Sequence, residues 1–291
     1  MDQHAQIAWI REAEGDWSMA LSYEEFKKAV SELCGTDLFL YKSQQMDRRI
    51  HSLMNFWGIR DYDEYLTALK TNPQRYQEFV KRLTINVSEF FRNPDRFIEL
   101  WQRFLPEILQ RTGGIRIWSA GCSNGAEPYS IAIILNELNA LDQATILATD
   151  IDEAILRKAQ HAVYSFNEVK SLPPDLREKY FRQEEEVFYF DEALKKQVQF
   201  KKHNLLQEPY PEDMDLIICR NVVIYFTEEA KHKIYVGFNR ALRAGGYFLT
   251  GGTEPLLYYR HYGFENVATS FYQKIGPPSE NLEAGHWSLS L

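Results

Sequence analysis

The chain has 291 residues, of which 45% are hydrophobic and 25% are charged. Those proportions are ordinary for a globular protein, and the length is sufficient to bury a large core without disulfides or metals. No run of 18 apolar residues is present, so we expect no transmembrane helix. The first residues lack the basic and then apolar order of a secretory signal. The net charge of −8 disfavours a nucleic-acid-binding protein, which usually carries a basic surface.

The cysteine pattern argues against a disulfide framework. Cys34, Cys122 and Cys219 are odd in number and lie far apart in the sequence. No CxxC pair and no HExxH motif occurs, so the sequence does not predict a zinc site either. We therefore expect no bound metal and a location in the reducing cytoplasm.

Capping residues and apolar spacing place a group of helices near the start of the chain. Ser22 and Glu25 form a capping box that begins a helix, and Gly35 ends that helix. Three more apolar stripes follow at helical spacing. Residues 21–85 are therefore predicted to form a small all-helical domain, preceded by a loosely held lead-in over residues 1–20.

The second of these helices lies in a basic part of an otherwise acidic chain. Between Tyr41 and Arg60, four basic residues stand against the single acid Asp47, a local charge of +3; they are Lys42, Arg48, Arg49 and Arg60. A basic island of this kind can bind an acidic partner. A solvated helix face gives the same pattern, so the charges alone leave both interpretations open.

A different pattern begins near Ile115, where short apolar segments alternate with amphipathic helices. Alternating strands and helices imply a parallel sheet covered on both faces, and right-handed crossovers make that sheet doubly wound. The segment DLIICRNVVIYF is predicted as one long strand, the helix TEEAKHKIYVGFNRALRAGG is predicted to end at Gly245-Gly246, and NVATSFYQKI is predicted as one final strand.

The remaining boundaries follow from where this alternation starts, stops and is interrupted. We predict a linker and helix over residues 86–114, an α/β domain over residues 115–275 and a flexible tail over residues 276–291. The alternation is interrupted over about residues 165–200, where the second half is predicted to form a β-hairpin inserted beside the sheet.

Small residues and one acid predict a nucleoside pocket in the α/β domain. Ligands of doubly wound sheets bind at the carboxyl ends of the strands. The first strand ends in SAGCSNGAE, where Gly121 allows close backbone approach, and the next strand ends at Asp150, 29 residues further on. A carboxylate at that place can accept hydrogen bonds from ribose hydroxyls. A structural turn and an acid that caps the next helix remain the alternative.

The glycine loop narrows the choice of nucleoside. It matches neither GxGxxG nor GxxxxGK[ST], which disfavours classical NAD binding and P-loop phosphate binding. Glu127 lies just inside the following helix, where its charge would repel a pyrophosphate and suit an ammonium or sulfonium group. The cationic ligand that fits this description is S-adenosylmethionine.

Longer motifs resemble the CheR chemotaxis methyltransferases in order and spacing. They are NVSEFFR, WSAGCSNGAEPYSIA, ATDID, HNLL, ICRNVVIYF and GGTE, and the resemblance runs from about residue 22 to residue 275. It implies a Rossmann-like class I methyltransferase sheet, with an N-terminal all-helical domain and a small inserted β-hairpin subdomain. It also implies S-adenosylmethionine as cofactor, S-adenosylhomocysteine as product, and methylation of glutamate side chains on chemoreceptors.

The resemblance assigns roles to particular residues. Those matching cofactor-binding positions are Asn86, Ser88 and Arg92 in the linker, Gly121 and Glu127 in the glycine loop, Asp150 at the ribose, Asn204 and Leu205 beside the adenine, and Arg220 and Asn221 near the methionine part. Arg92 and Tyr225 are the candidate catalytic pair, which would hold the incoming carboxylate near the transferred methyl. A structural salt bridge for Arg92 and a core position for Tyr225 are the alternatives.

The resemblance also indicates a partner. Family members dock their helical domain on the acidic methylation helices of receptors, which makes Arg48, Arg49 and Arg60 candidate contacts. Some members also bind a receptor's C-terminal peptide through a glycine-containing loop, but the insertion here has no glycine, which places peptide tethering in doubt. We expect a monomer with no nucleic-acid partner and no membrane insertion. A methyltransferase of the same fold acting on a small molecule or RNA, and a non-catalytic cofactor-binding signalling module, are the competing interpretations.

Overall fold

The computed structural model describes residues 20–83 and 88–279. The predictions for residues 1–19, Asn86 and residues 280–291 lie outside these ranges. Within these two ranges, four α-helices come first: α1 Tyr23–Cys34, α2 Ser43–Phe56, α3 Tyr62–Thr71 and α4 Pro73–Leu83. The predicted capping box is present, since Glu25 N donates to Ser22 Oγ and Ser22 N donates to the Glu25 carboxylate. The inward faces of the four helices share one apolar core, which contains Phe26, Ile50, Tyr65 and Phe79.

A linker and a long helix lead into the α/β domain. Helix α5 consists of Pro94–Glu99, a wider π-helical turn at Leu100–Phe104, and Leu105–Thr112. Gly113, with φ 67°, ends the helix in the left-handed conformation that favours glycine.

Ten strands follow in the part of the chain that the structure describes: β1 Ile115–Ala120, β2 Ala144–Asp150, β3 Val163–Ser165, β4 Phe181–Glu184, β5 Val187–Phe190, β6 Val198–Lys202, β7 Met214–Cys219, β8 Leu242–Thr250, β9 Phe264–Ala268 and β10 Phe271–Lys274. Seven of them form a sheet in the order β6-β2-β1-β7-β8-β10-β9. Strand β10 is antiparallel to both of its neighbours, and the other neighbouring pairs are parallel. The strand order reverses beside β1, so the carboxyl ends of β1, β2 and β7 border the crevice that binds ligands in such sheets.

Helices cover both faces of this sheet. The remaining helices are α6 Ala126–Glu137, α7 Glu153–His161, α8 Phe166–Val169, α9 Pro174–Tyr180, α10 Glu192–Lys195 and α11 Glu228–Ala241. Successive strand residues face opposite cores, as Ile117 and Trp118 show: Ile117 packs in the cluster with α5 and α6, and Trp118 packs in the cluster with α11. The predicted fold class is confirmed. None of the helices in the described ranges combines the length and apolar character needed to cross a bilayer.

The insertion is larger than the predicted hairpin. Strands β4 and β5 form that hairpin, but β3 pairs with β5 on its other side, so the insertion is a three-stranded antiparallel sheet. Phe90 of the linker packs edge-on against Tyr164 and Phe181 of this small sheet. The small sheet is therefore fixed to the segment that joins the two domains.

Three predicted elements end elsewhere. The long strand stops at Cys219, because Asn221 adopts φ 59° and Val223–Tyr225 forms a 3₁₀ turn. The final helix stops at Ala241, since Leu242 is already extended. Gly245-Gly246 lies inside β8, where Gly245 has φ 71° beside an irregularity in the pairing with β7. The predicted last strand is two strands, β9 and β10, which reverse at Ser270 with φ 69°.

Candidate cofactor and methyl-transfer site

A cavity lies where β1, β2 and β7 end and where the linker and the helical domain cover the sheet. Ten predicted site residues line it: Ser88, Arg92, Gly121, Glu127, Asp150, Asn204, Leu205, Arg220, Asn221 and Tyr225. The structure therefore brings together the predicted cofactor and catalytic residues that fall within its described ranges, although they come from distant parts of the chain. Their individual roles remain predictions.

The glycine loop makes close contact with the segment after β7. Gly121 has φ 79°, and a Cβ atom at this position would overlap the side chain of Val222. The amides of Gly121 and Cys122 both donate to the carbonyl of Thr149 in β2, at 2.8 and 2.9 Å. A side chain at residue 121 would thus force apart the two loops that form the floor of the cavity.

Asp150 lies at the end of β2 and is 8% exposed. Its Oδ2 accepts from Ser123 N at 2.9 Å, and its Oδ1 accepts from Asp152 N at 3.0 Å. Burial raises the pKa of Asp150 from 3.8 to about 6, while these backbone N–H groups oppose the rise. A ligand that donates hydrogen bonds to this carboxylate would favour its ionised form.

Glu127 and Arg220 form a buried charge pair under the linker. Glu127 Oε2 lies 3.5 Å from Arg220 Nη1, and Ser119 Oγ donates to Glu127 Oε1 at 2.8 Å. Arg220 Nη2 donates to Arg92 O at 2.7 Å and to Asn93 Oδ1 at 2.6 Å. Burial raises the pKa of Glu127 and lowers that of Arg220, and the pairing opposes both shifts. Arg220 thereby ties the linker to the glycine-loop helix.

Arg92 and Tyr225 both line the cavity. Phe91 at φ 51° and Asn93 at φ 59° flank Arg92, so the linker backbone here is held in an uncommon conformation. Burial raises the pKa of Tyr225, and the nearby charges of Arg49 and Arg92 oppose that rise. Arg92 and Tyr225 therefore share the cavity lining, and the charge of Arg92 acts on the Tyr225 hydroxyl.

The three predicted docking arginines differ in their surroundings. Arg48 and Arg60 are exposed, as a docking surface requires. Arg49 is half-buried: its Nη1 donates to Leu83 O at 2.9 Å, and its guanidinium lies 5.3 Å from the ring centroid of Tyr225. Arg49 therefore belongs to the wall between the helical domain and the cavity.

The helical domain closes one side of the cavity, which sequence reasoning did not anticipate. Lys42 N donates to Tyr225 O at 2.9 Å, and Thr227 N donates to Leu40 O at 2.8 Å, so two chain segments pair across the domains. Tyr41, between them, lines the cavity and packs edge-on against Phe226. Nothing in the sequence around Tyr41 distinguishes it from a core residue, because its position depends on long-range docking.

Asn204 has a structural task that its motif did not reveal. Its Nδ2 donates to Gly35 O at 3.2 Å, and its Oδ1 accepts from Leu206 N at 2.9 Å. The side chain thus holds the turn after β6 and connects that turn to the end of α1. Its place beside an adenine stays a prediction that depends on the position of this turn.

Within the described ranges, four buried side-chain polar atoms lack a hydrogen-bond partner, and all four residues line the cavity. They are Ser123 Oγ, His203 Nδ1, Arg220 Nε and Asn221 Oδ1. Buried polar groups are almost always paired, so this concentration indicates a polar ligand. His203 Nε2 lies 3.2 Å from the acceptor Pro209 O, so Nε2 carries the proton and Nδ1 is an acceptor. Sequence reasoning missed Ser123 and His203, although both lie within quoted motifs.

The donors and acceptors around the cavity fit S-adenosylmethionine. An acidic residue faces the expected ribose position, a carboxylate beside the glycine loop suits a cationic ligand, and Arg220 Nε–H offers a donor to a carboxylate. Cys122 and Cys219 are buried, and burial raises the pKa of both thiols, so neither is prepared to act as a nucleophile.

Comparisons with known proteins agree with this geometry. The family described as "CheR methyltransferase, all-alpha domain" matches residues 21–84, and "CheR methyltransferase, SAM binding domain" matches residues 86–272. A chemotaxis protein methyltransferase of Listeria monocytogenes is 38% identical over 253 residues, which cover 87% of this chain and 97% of that protein. A protein of the same name from Borreliella burgdorferi is 35% identical over 236 residues, covering 76% and 83% of the two chains. The Salmonella typhimurium protein is 32% identical over 251 residues, covering 81% and 85%.

The second family match alone spans more than half of the chain, and its cofactor is the one that the cavity suits. The chain therefore belongs to the CheR family of S-adenosylmethionine-dependent protein-glutamate methyltransferases.

Proposed function

We propose that the protein methylates specific glutamate side chains of chemoreceptors during chemotactic adaptation. The observation that carries this proposal is that Arg92 and Tyr225 line one cavity and that the guanidinium of Arg49 lies 5.3 Å from the Tyr225 ring centroid, because this contact joins a cofactor site to a cationic wall of the helical domain. An acidic protein side chain is the substrate that such a wall attracts. The names of the relatives, chemotaxis protein methyltransferases, support the same biological setting.

Several cavity residues would hold the cofactor, which supplies a methyl group on a cationic sulfur. Asp150 would accept hydrogen bonds from the ribose hydroxyls, and His203 Nδ1 would accept one from the adenosine part. Arg220 Nε–H would bind the methionine carboxylate, and Asn221 Oδ1 would accept from the ammonium group. Ser88, Gly121, Glu127 and Leu205 complete the enclosure, with Glu127 balancing the ligand's positive charge.

The chain's part in methyl transfer is to position the incoming carboxylate. A glutamate side chain is already ionised at neutral pH, so no general base is required. Alignment of reacting groups can contribute about 7–11 kcal/mol to lowering a barrier. Arg92 and Tyr225 would orient the carboxylate without binding it so tightly that its reactivity is lost.

The affinity for S-adenosylhomocysteine should depend on pH if Asp150 binds the ribose. Asp150 is protonated below its pKa of about 6, and only the ionised carboxylate accepts from both hydroxyls. We expect calorimetric affinity to increase as pH rises from about 5 to 7.5, by up to about tenfold per unit below the pKa. Because burial raises the pKa of Glu127 as well, Asp150→Asn serves as the reference: the part due to Asp150 should disappear in it. Identical pH slopes in both proteins would contradict the ribose role.

Receptor docking would use the exposed basic residues of the helical domain, Arg48 and Arg60. Peptide tethering through the insertion is less suited to this chain. The β4–β5 turn consists of Glu185 and Glu186, with Glu185 at φ 51°, so it presents acidic side chains where a glycine would leave open backbone. We therefore expect the enzyme to reach its substrate by docking directly on the methylated helix.

Reversing one exposed charge should test this docking surface. For Arg48→Glu we expect a several-fold higher KM for receptor, with kcat unchanged, because Arg48 lies away from the cavity. The difference in KM between Arg48→Glu and the wild type should shrink towards 1 M salt, where the Debye length is only about 3 Å. Arg103→Glu, on the exposed side of α5, is the matched control and should leave KM unchanged. Equal KM values for the two variants at low salt would exclude Arg48 from docking.

The decisive test of function is methyl transfer followed by alkaline hydrolysis. Receptor-containing membranes of the source organism are incubated with the enzyme and methyl-labelled S-adenosylmethionine, and volatile methanol is counted after base treatment. We expect base-labile label on receptor bands. Base-stable label on RNA or a small molecule would favour the competing substrate classes. Tight binding of S-adenosylhomocysteine without any transfer would favour a non-catalytic signalling module.

A further inference from the structure

The segment after β7, residues 220–225, carries three proposed site residues but little regular structure. We call it the 220–225 loop. Asn221 adopts φ 59°, a left-handed conformation that non-glycine residues rarely take. Tyr225 stands at the end of the following 3₁₀ turn. Something outside the loop must therefore fix its backbone if the side chains are to face the cavity reproducibly.

A single buried carboxylate accepts hydrogen bonds from the backbone of this loop. Glu254, from the GGTE motif after β8, is 4% exposed. Its Oε2 accepts from the amides of Asn221 and Gly251, and its Oε1 accepts from Ile224 N at 3.0 Å. Burial raises the pKa of Glu254, and these amides together with that of Val222 oppose the rise. One side chain thus holds amides at the start and near the end of the loop.

Two glycines allow this arrangement. A Cβ atom on Gly251 would overlap Glu254 Oε2 and would lie 2.9 Å from Asn221 N. A Cβ atom on Gly121 would overlap Val222 from the other side. The 220–225 loop is therefore enclosed between the glycine loop and the GGTE turn, with the Glu254 carboxylate as its polar support.

We propose that Glu254 is a positioning residue for methyl transfer, which holds the 220–225 loop so that Asn221 and Tyr225 face the cavity. It does not line the cavity, so it acts through the loop. This inference rests on the proposed roles of Asn221 and Tyr225. It predicts that loss of the carboxylate slows transfer even when the protein stays folded and docks normally.

Glu254→Gln is the first test, because glutamine keeps the volume but turns an N–H donor towards a backbone N–H. We expect kcat for labelled methyl transfer to receptor membranes to fall about tenfold or more, in line with a lost hydrogen bond to a charged group. The KM for receptor should stay unchanged, since the docking residues Arg48 and Arg60 lie outside both the 220–225 loop and the cavity lining. Hydrogen exchange should accelerate at the amides of Asn221, Val222 and Ile224.

Asp215→Asn is the matched control. Asp215 is another buried carboxylate that accepts from a backbone amide, Arg116 N at 2.8 Å, but it lies at the opposite end of β7. We expect this variant to lower Tm while kcat and exchange in the 220–225 loop stay as in the wild type. An equal fall in kcat for both variants would reduce Glu254 to a general structural role and overturn the proposal.

Two further variants keep the test conclusive. Gly251→Ala displaces the Glu254 carboxylate without removing its charge, so it should reproduce the kcat loss even if Glu254→Gln fails to fold. Normal kcat in a folded Gly251→Ala or Glu254→Gln protein would refute the inference. Tyr225→Phe distinguishes the proposed catalytic role of Tyr225 from the positioning role of Glu254. Normal turnover in Tyr225→Phe would refute the role of Tyr225. Slow turnover in Tyr225→Phe together with normal turnover in Glu254→Gln would refute only the positioning role.

Discussion

Replacing Arg92 with alanine is expected to lower kcat at least about 100-fold, the scale of loss when a reacting group is misplaced by about 1 Å. The guanidinium acts on the same region as Tyr225 and Glu127: burial raises the pKa of both groups, and the charge of Arg92 opposes that rise. Folding should change little, because several contacts that anchor the linker use its backbone: Phe91 N donates to Ser130 Oγ at 3.0 Å, and the Arg92 carbonyl accepts from Arg220 at 2.7 Å. Alanine keeps that carbonyl.

The measurement for Arg92→Ala is single-turnover transfer of labelled methyl to receptor membranes, with Tm recorded in parallel. Arg103→Ala provides the control, since Arg103 is an exposed arginine on α5 away from the cavity. Calorimetry with S-adenosylhomocysteine separates a loss of cofactor affinity from a loss of kcat. A turnover within about threefold of the wild type, less than one lost hydrogen bond would cause, would exclude Arg92 from catalysis.

Asp150→Asn should weaken S-adenosylhomocysteine binding about 100-fold, with a much smaller effect on the stability of the fold. The substitution would weaken the two hydrogen bonds that the ribose hydroxyls donate to the ionised carboxylate, and such bonds contribute about 1.5–3 kcal/mol each. Loss of the charge itself should not lower stability, because the folded-state pKa of about 6 lies above the ordinary value of 3.8. An acid with a raised pKa stabilises the fold below its unfolded-state pKa, and that contribution is lost as pH rises through about 6. Removing the charge at pH 7.5 therefore carries no folding penalty, and any fall in Tm would come from the asparagine NH2 group, which replaces one of the two oxygens that accept from Ser123 N and Asp152 N.

Calorimetric affinity and Tm at pH 7.5 check this prediction together. Asp152→Asn is the control, since Asp152 is a neighbouring carboxylate that caps α7 by accepting from Ala154 N at 2.8 Å. Asparagine is also a good N-cap, so both Tm and affinity should hold in that variant. Unchanged affinity in Asp150→Asn would show that the ribose lies elsewhere.

The sequence predicts those parts of the site that depend on local rules. Gly121 and Asp150 could be paired in advance because parallel neighbouring strands bring their carboxyl ends together. The first helix of the helical domain could be predicted for the same reason, since the side chains of Ser22 and Glu25 accept from each other's backbone amides wherever that pattern begins a helix. Even Glu254 was visible as part of a motif, although its role was not.

The features that sequence reasoning missed depend on contacts between distant segments. The apolar residues Val222, Val223 and Ile224 look like a continuing strand, and only the left-handed Asn221 reveals that β7 has ended. Tyr41 reaches the cavity because the helical domain docks on the sheet, which no local spacing encodes. His203 becomes informative only when its Nε2 is seen to donate to Pro209, leaving Nδ1 as an acceptor.

The backbone pairing of Leu40 and Lys42 with Thr227 and Tyr225 fixes the distance between the helical domain and the cavity. Helix α2, with its arginines, begins at Ser43, directly after Lys42, so the surface that would grip a receptor is set at a constant offset from Tyr225. Adding one residue between Lys42 and Ser43 would turn those arginines by about 100° around the helix axis. This offset would then determine which glutamate along a docked receptor helix reaches Tyr225.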